Sequence, residues 1–101
     1  MARSSKKPCS EGMYKAILAL RDLDECKRFF DDLCSPREKK SMEQRFDVAV
    51  YLMQDSVYTD IVEKTGASSA TVSRVRRNIL DSETGGAMRD VIEREGLAKK
   101  D

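Results

Sequence analysis

Apolar positions recur with helical spacing along most of this chain, and no stretch alternates with the two-residue period of a half-buried strand. Met13, Ile17 and Leu20 share one face of a first helix that Ser10 can cap, with Tyr14 and Leu18 beside them. Asp22 or Asp24 restarts the chain into a second helix with Leu23, Cys26, Phe29, Phe30, Leu33 and Cys34 as its apolar set. The adjacent phenylalanines widen that stripe, so the helix is expected to pack against more than one neighbour. Ser35-Pro36-Arg37-Glu38 is a helix start: a serine cap, a proline at the first helical position, and a glutamate completing a capping box. This third helix should run to about Gln54. Met42, Phe46, Ala49 and Met53 form one apolar line, Val48 and Leu52 another, and Val50 and Tyr51 add to the girth. A helix apolar over so much of its circumference is central or buried by another chain, which makes it the expected axis of the domain and a dimer element. Arg45 falls between the two lines. A guanidinium there needs an anion, an aromatic face or a route to water. An internal salt bridge, a bound ligand and a DNA phosphate each satisfy it.

After a short turn at Asp55-Ser56, the stretch Val57 to Arg77, VYTDIVEKTGASSATVSRVRR, reads as two short helices and a tight turn. Ile61 and Val62 form the inner side of the first of these. Gly66 supplies the turn, where a positive φ is usually needed, and Ala67 follows as a small buried residue. Ser68 can cap the second helix, whose apolar stripe is Val72, Val75 and Ile79. This is the helix-turn-helix pattern, in which the second helix lies in the DNA major groove. Its outer side presents Ala70, Ser73, Arg74 and Arg77, with Ser69 and Thr71 near the N-terminal end. Short hydroxyl side chains suit close approach to bases, Ala70 and Thr71 suit a thymine methyl, and Arg77 suits guanine or phosphate. The candidate DNA-binding residues are therefore Ser68, Ser69, Ala70, Thr71, Ser73, Arg74 and Arg77. Arg76 projects close to the apolar stripe, which suits a structural salt bridge or a phosphate contact.

Residues 81–86, DSETGG, read as a linker; Thr84 can cap a last helix containing Met88, Val91 and Ile92, which Gly96 ends. Residues 1–9, with Arg3, Lys6, Lys7 and no acid, read as a disordered basic arm, either phosphate-contacting or merely solubilising. The expected organisation is that arm, an all-helical domain over 10–96, and a polar tail over 97–101. Within the domain, residues 10–54 form the dimer core, 57–80 the helix-turn-helix and 84–95 the C-terminal helix.

Composition sharpens this picture. The chain has 101 residues, about one domain, with an aliphatic core in prospect because aromatics are 6% and tryptophan is absent. So small a domain leaves room for stabilisation by a partner subunit. Net charge is only +1, but its distribution is uneven. From Lys64 to Leu80 there are four basic residues and no acid, and from Asp22 to Asp32 five acids and two bases. A basic helix on a near-neutral body is a local footprint for DNA. Histidine is absent, and there is no C-x-x-C spacing, nucleophile–base pair or phosphate-cradling glycine loop, so an enzyme is not expected and no cofactor or metal is implied. Cys26 and Cys34 are expected to be buried reduced thiols. With no signal peptide and no apolar run near membrane-spanning length, the expectation is a cytoplasmic protein with no membrane partner.

GASSATVSRV, residues 66–75, resembles the recognition segment of the Trp repressor superfamily, and Met13 to Cys34, with ECKRFFDDLC, is similar to its YerC/YecD-like branch. The resemblance covers roughly residues 13–95 and is most specific in the C-terminal half. It implies an all-α fold, a six-helix subunit with a helix-turn-helix in an intertwined homodimer, and double-stranded DNA as partner. The repressor's amino-acid corepressor sits between the central and recognition helices, its indole between two arginines and a hydroxyl opposite. The matching positions are Arg45, Arg74 and Ser35, and Asn78 stands where a serine meets the ligand's amino group. These four form a candidate pocket for a small amino-acid-like effector. Val75 stands where the repressor has glycine and should crowd the indole slot, so the resemblance does not name tryptophan. Thr59 replaces a base-reading arginine, so the operator does not carry over. The expected function is a sequence-specific DNA-binding regulator, a repressor acting as a homodimer. The alternative is a helical protein-interaction module whose helix-turn-helix does not bind DNA.

Overall fold

The computed structural model describes residues 11–81 and 86–99. The basic arm, Cys9, the Ser10 cap and the Thr84 cap lie outside the described residues. Two units divide at the start of the third helix, residues 1–36 and 37–101, and each has its own character.

In the N-terminal unit, α1 spans Glu11–Leu18 and α2 spans Leu23–Leu33. Asp22 is the α2 cap: its carboxylate accepts the Glu25 N–H at 2.8 Å. The backbone N–H of Arg21 and its guanidinium both donate to Glu25, holding that carboxyl below the usual carboxylate range. Arg28 pairs with Asp24 one turn back. Phe29 and Phe30 meet edge to face, their centroids 5.4 Å apart. Neither helix contains a buried residue. Cys26 and Cys34 are consequently half-buried free thiols, not the buried ones expected, and Cys34 is the cap just past α2 rather than part of it.

The C-terminal unit is built on α3, Pro36–Met53, which starts at the expected proline and stops one residue before Gln54. Its exit is set by Asp55, at φ 60°, while the Ser56 N–H reaches back to the Tyr51 carbonyl at 3.0 Å. Next come α4, Tyr58–Thr65, and α5, Ser69–Arg76, then a π-helical turn over Arg77–Asp81. The last helix, α6, spans Gly86–Arg94. Thus the expected linker shrinks at both ends, since Asp81 belongs to the π-turn and Gly86 opens α6.

Val48 and Ala49 of α3, Ile61 of α4, Ala67 of the turn, Val72 and Val75 of α5, Ile79 of the π-turn and Ile92 of α6 make one buried cluster. Phe46, Val50, Tyr51, Leu52 and Met53 pack on it from α3, which accounts for the girth read from that helix. Ala98 also packs on the core and Gln54 Nε2 donates to the Leu97 carbonyl at 2.9 Å, so the start of the expected polar tail is tied back. α6 contains Met88, Val91 and Ile92 as expected; Val91 is exposed, while its neighbour Ile92 is fully buried. Among the described residues there is no strand, and no helix is long and apolar enough to cross a membrane.

Candidate nucleic-acid interface

The turn between α4 and α5 is fixed by backbone and side chain together. Gly66 caps α4 in the left-handed region, φ 73°, and its N–H donates to the Val62 carbonyl at 2.8 Å. The Thr65 hydroxyl donates to the Ile61 carbonyl and accepts from the Ala67 N–H, at 2.6 and 3.1 Å. From α3, Gln44 Nε2 donates to the Thr65 carbonyl at 3.0 Å. Lys64 lies over the Tyr51 ring, 5.6 Å from its centroid, a second link from α4 to α3. Ala67 is 2% exposed, the small buried residue expected after the turn glycine.

Ser68 caps α5. Its hydroxyl accepts the Thr71 N–H at 3.1 Å and donates to the Thr71 hydroxyl at the same distance. These two candidate DNA contacts are therefore engaged with each other, and a base or phosphate would have to share them. Ser69, Ala70, Ser73, Arg74, Arg76 and Arg77 are exposed, while Val72 and Val75 face the core. The helix thus separates cleanly into a packed side and an outward side of hydroxyls and guanidinium groups, with no acid on either. Arg76 makes no ion pair among the described residues, so the structural salt bridge expected of it is absent there.

Beside this face, Ser41 and Arg45 of α3 and Ala70, Thr71 and Arg74 of α5 line a recess of about 200 Å³. Arg45 is exposed; Nη1 lies 3.5 Å from the Ser41 hydroxyl, and no ion pair forms among the described residues. The internal salt bridge considered for it is thus replaced by a route to water. Arg45 and Arg74, two of the four residues of the expected effector pocket, both line this recess. Asn78 lies on the π-turn and is not among the lining residues, and Ser35 belongs to the N-terminal unit. Val75 is 2% exposed and fills the core side of α5; it does not line the recess. Two cations and two hydroxyls without an acid make this recess suited to an anionic group.

Sequence reasoning missed Gln44, Thr65 and Arg89. Arg89 of α6 donates from Nη1 to the Ile79 carbonyl on the π-turn at 3.2 Å. Thr65 stood in plain view one residue before the turn glycine, but Gln44 and Arg89 act across 21 and 10 residues, distances over which spacing gives no signal.

The profile of the Trp repressor protein family matches residues 11–95 of this chain. YerC of Bacillus subtilis (strain 168), an uncharacterized protein, is 51% identical over 65 residues, covering 64% of this chain and 62% of YerC, under two thirds of that relative's length. A TrpR-like protein from Eubacterium eligens ATCC 27750 superposes with a TM-score of 0.81 at 47% identity, over 89% of this chain and 91% of that one. A candidate Trp repressor from Staphylococcus aureus gives the same TM-score at 36% identity, over 89% and 88%. Members of this family are helical DNA-binding regulators rather than enzymes. With its fold, its helix-turn-helix and its matched length in agreement, this chain belongs to the Trp repressor family, in the YerC-like branch.

Proposed function

We propose that this protein is a cytoplasmic, sequence-specific DNA-binding repressor that works as a homodimer. The observation that carries this reading is α5 and the residue after it: capped, acid-free, with Val72 and Val75 in the core and Arg74 and Arg77 exposed. The N-terminal residues Ser69, Ala70, Thr71 and Ser73 supply base contacts, and Arg74, Arg76 and Arg77 supply phosphate or guanine contacts. Two such helices in a dimer meet successive major grooves about 34 Å apart and favour a near-palindromic site. The dimer is supported by α1 and α2, amphipathic helices that bury no residue in the single chain. The recess at Arg45 and Arg74 is the proposed seat of a small amino-acid-like effector that adjusts the reading helix.

In-vitro selection of bound duplexes from a random library, with the complex sized by sedimentation, tests the proposal. The expected result is an enriched palindrome held by two chains. No enrichment, or enrichment bound by one chain, contradicts it. A panel of amino-acid-like metabolites in a thermal-shift assay tests the effector: one compound should raise Tm, and Arg45→Ala should abolish the rise. A flat panel leaves a ligand-independent regulator. The acidic stretch from Asp22 to Asp32 favours one second reading, a protein-interaction module that docks through it and does not touch DNA. Failure of this chain to enrich any duplex would favour that reading.

A further inference from the structure

The reading helix is eight residues long, and its outward side has few restraints of its own. Beyond the packing of Val72 and Val75 on its inner side, side-chain hydrogen bonds hold the chain at its two ends. Ahead of it, Gln44 of α3 holds the Thr65 carbonyl, and the Thr65 hydroxyl passes that restraint to the Ala67 N–H, one residue before the Ser68 cap. Behind it, the π-helical turn puts Ile79 in the core, and Arg89 of α6 holds the Ile79 carbonyl. The Thr65 carbonyl ends α4 and the Ile79 carbonyl lies in the π-turn, and each receives a side-chain donor from a different helix.

We infer that Gln44 and Arg89 are positioning residues for DNA reading, gripping α5 from opposite ends while touching no DNA themselves. An eight-residue helix is about 12 Å long, so a tilt of about 10° at one end displaces the other by about 2 Å. That displacement is several times the roughly 0.5 Å range over which a hydrogen bond to a base edge holds. The prediction is a loss of discrimination between sequences, because phosphate contacts from long arginines accommodate a shift that base contacts do not. Gln44 also lies beside Gly66, 3.8 Å from where a side chain on that glycine would begin, so it closes over the turn as well as bonding to it.

This inference rests on the proposed DNA-reading function, so its test has one arm that needs no DNA. Gln44→Met and Arg89→Met keep side-chain length and remove the donors; Arg89→Lys restores one donor. In the full chain, affinity is measured for a selected duplex and for an unrelated one, together with Tm and amide residual dipolar couplings over α3, α5 and α6. Each Met variant should lose about fivefold in preference for the selected duplex, the order of one net hydrogen bond. Affinity for the unrelated duplex should change less than about twofold. The α5 couplings should report a new orientation against α3 and α6, and Arg89→Lys should recover both signals. A fall in Tm with unchanged α5 couplings and unchanged preference would make the two bonds structural only and overturn the inference. If the wild type prefers no duplex, the DNA reading fails, while the couplings still decide whether Gln44 and Arg89 set the helix. Should a Met variant not fold, exchange of the Gln44 side-chain amide in the wild type decides: protected protons support the grip, and exchange at the free-amide rate contradicts it.

Discussion

α2 and α5 are both amphipathic, yet the chain treats them in opposite ways. α5 has only eight residues, but Val72 and Val75 are buried against α3, α4 and the π-turn, and its polar side is left for a partner. α2 has eleven residues and two phenylalanines, but nothing in it is buried, and Leu23 is 70% exposed. In α1, Leu18 is 85% exposed. The charged neighbours of these leucines are arranged in i,i+4 pairs, Arg21 with Glu25 and Arg28 with Asp24, which support an isolated helix only weakly. One unit thus explains its own stability and leaves a basic helix face exposed. The other offers apolar surface that a single chain does not use, and the proposed homodimer gives that surface a role.

This contrast predicts where damage is large and of what kind. Ile79→Ala in the C-terminal unit should cost about 3 kcal/mol, a cavity in a fully buried site, measured by urea unfolding. A cost within the range of a surface substitution would mean that this core is not what holds the unit. Leu23→Asp combined with Leu33→Asp should act on association: the dimer dissociation constant should rise by roughly 30-fold in sedimentation equilibrium, truncation of central apolar contacts having effects of that order. The dispersed amide spectrum of residues 37–99 should survive. An unchanged molecular mass would break the link between the exposed N-terminal leucines and the dimer.

Much of this was legible in the sequence, and the reasons differ by region. Helices were visible because 3.6-residue periodicity and cap residues are local signals: Asp22, Pro36, Gly66 and Ser68 act within four residues of themselves. The buried stripe of α5 followed from spacing alone. The π-turn after Arg76 was not visible, because Ile79 occupies the same apolar position whether the chain continues as an α- or a π-helix. The burial expected of Cys26 and Cys34 was misjudged because an apolar stripe shows that a face seeks cover, not whether the same chain supplies it. At the recess, Arg45 stood out as a charge among apolar lines, and its meeting with Arg74 came from the family resemblance. Ser41 gave no signal at all.

Two smaller effects refine the comparison. Gly66→Ala should destabilise by about 1 kcal/mol, the cost of a side chain in the left-handed region, because the added carbon meets Gln44 only at an ordinary 3.8 Å. Thermal unfolding measures it, and no change would mean that the turn relaxes freely. In the N-terminal unit, Glu25 has a lowered pKa in the folded chain, so its stabilising contribution is complete above the ordinary carboxylate range and vanishes as pH falls through its lowered value. The small Tm difference between wild type and Glu25→Gln should therefore shrink on acidification. A difference constant to about pH 3 would show that charge is not its source.

The central claim is that α5 and the π-turn after it bind DNA through their outward arginines, and the most direct measurement is the salt dependence of DNA affinity for Arg74→Ala combined with Arg77→Ala. The account predicts at least about tenfold weaker binding at physiological salt, with the slope of log affinity against log salt reduced by about 2, one per lost phosphate contact. Equal affinity and an unchanged slope, in a variant with wild-type Tm, would contradict it.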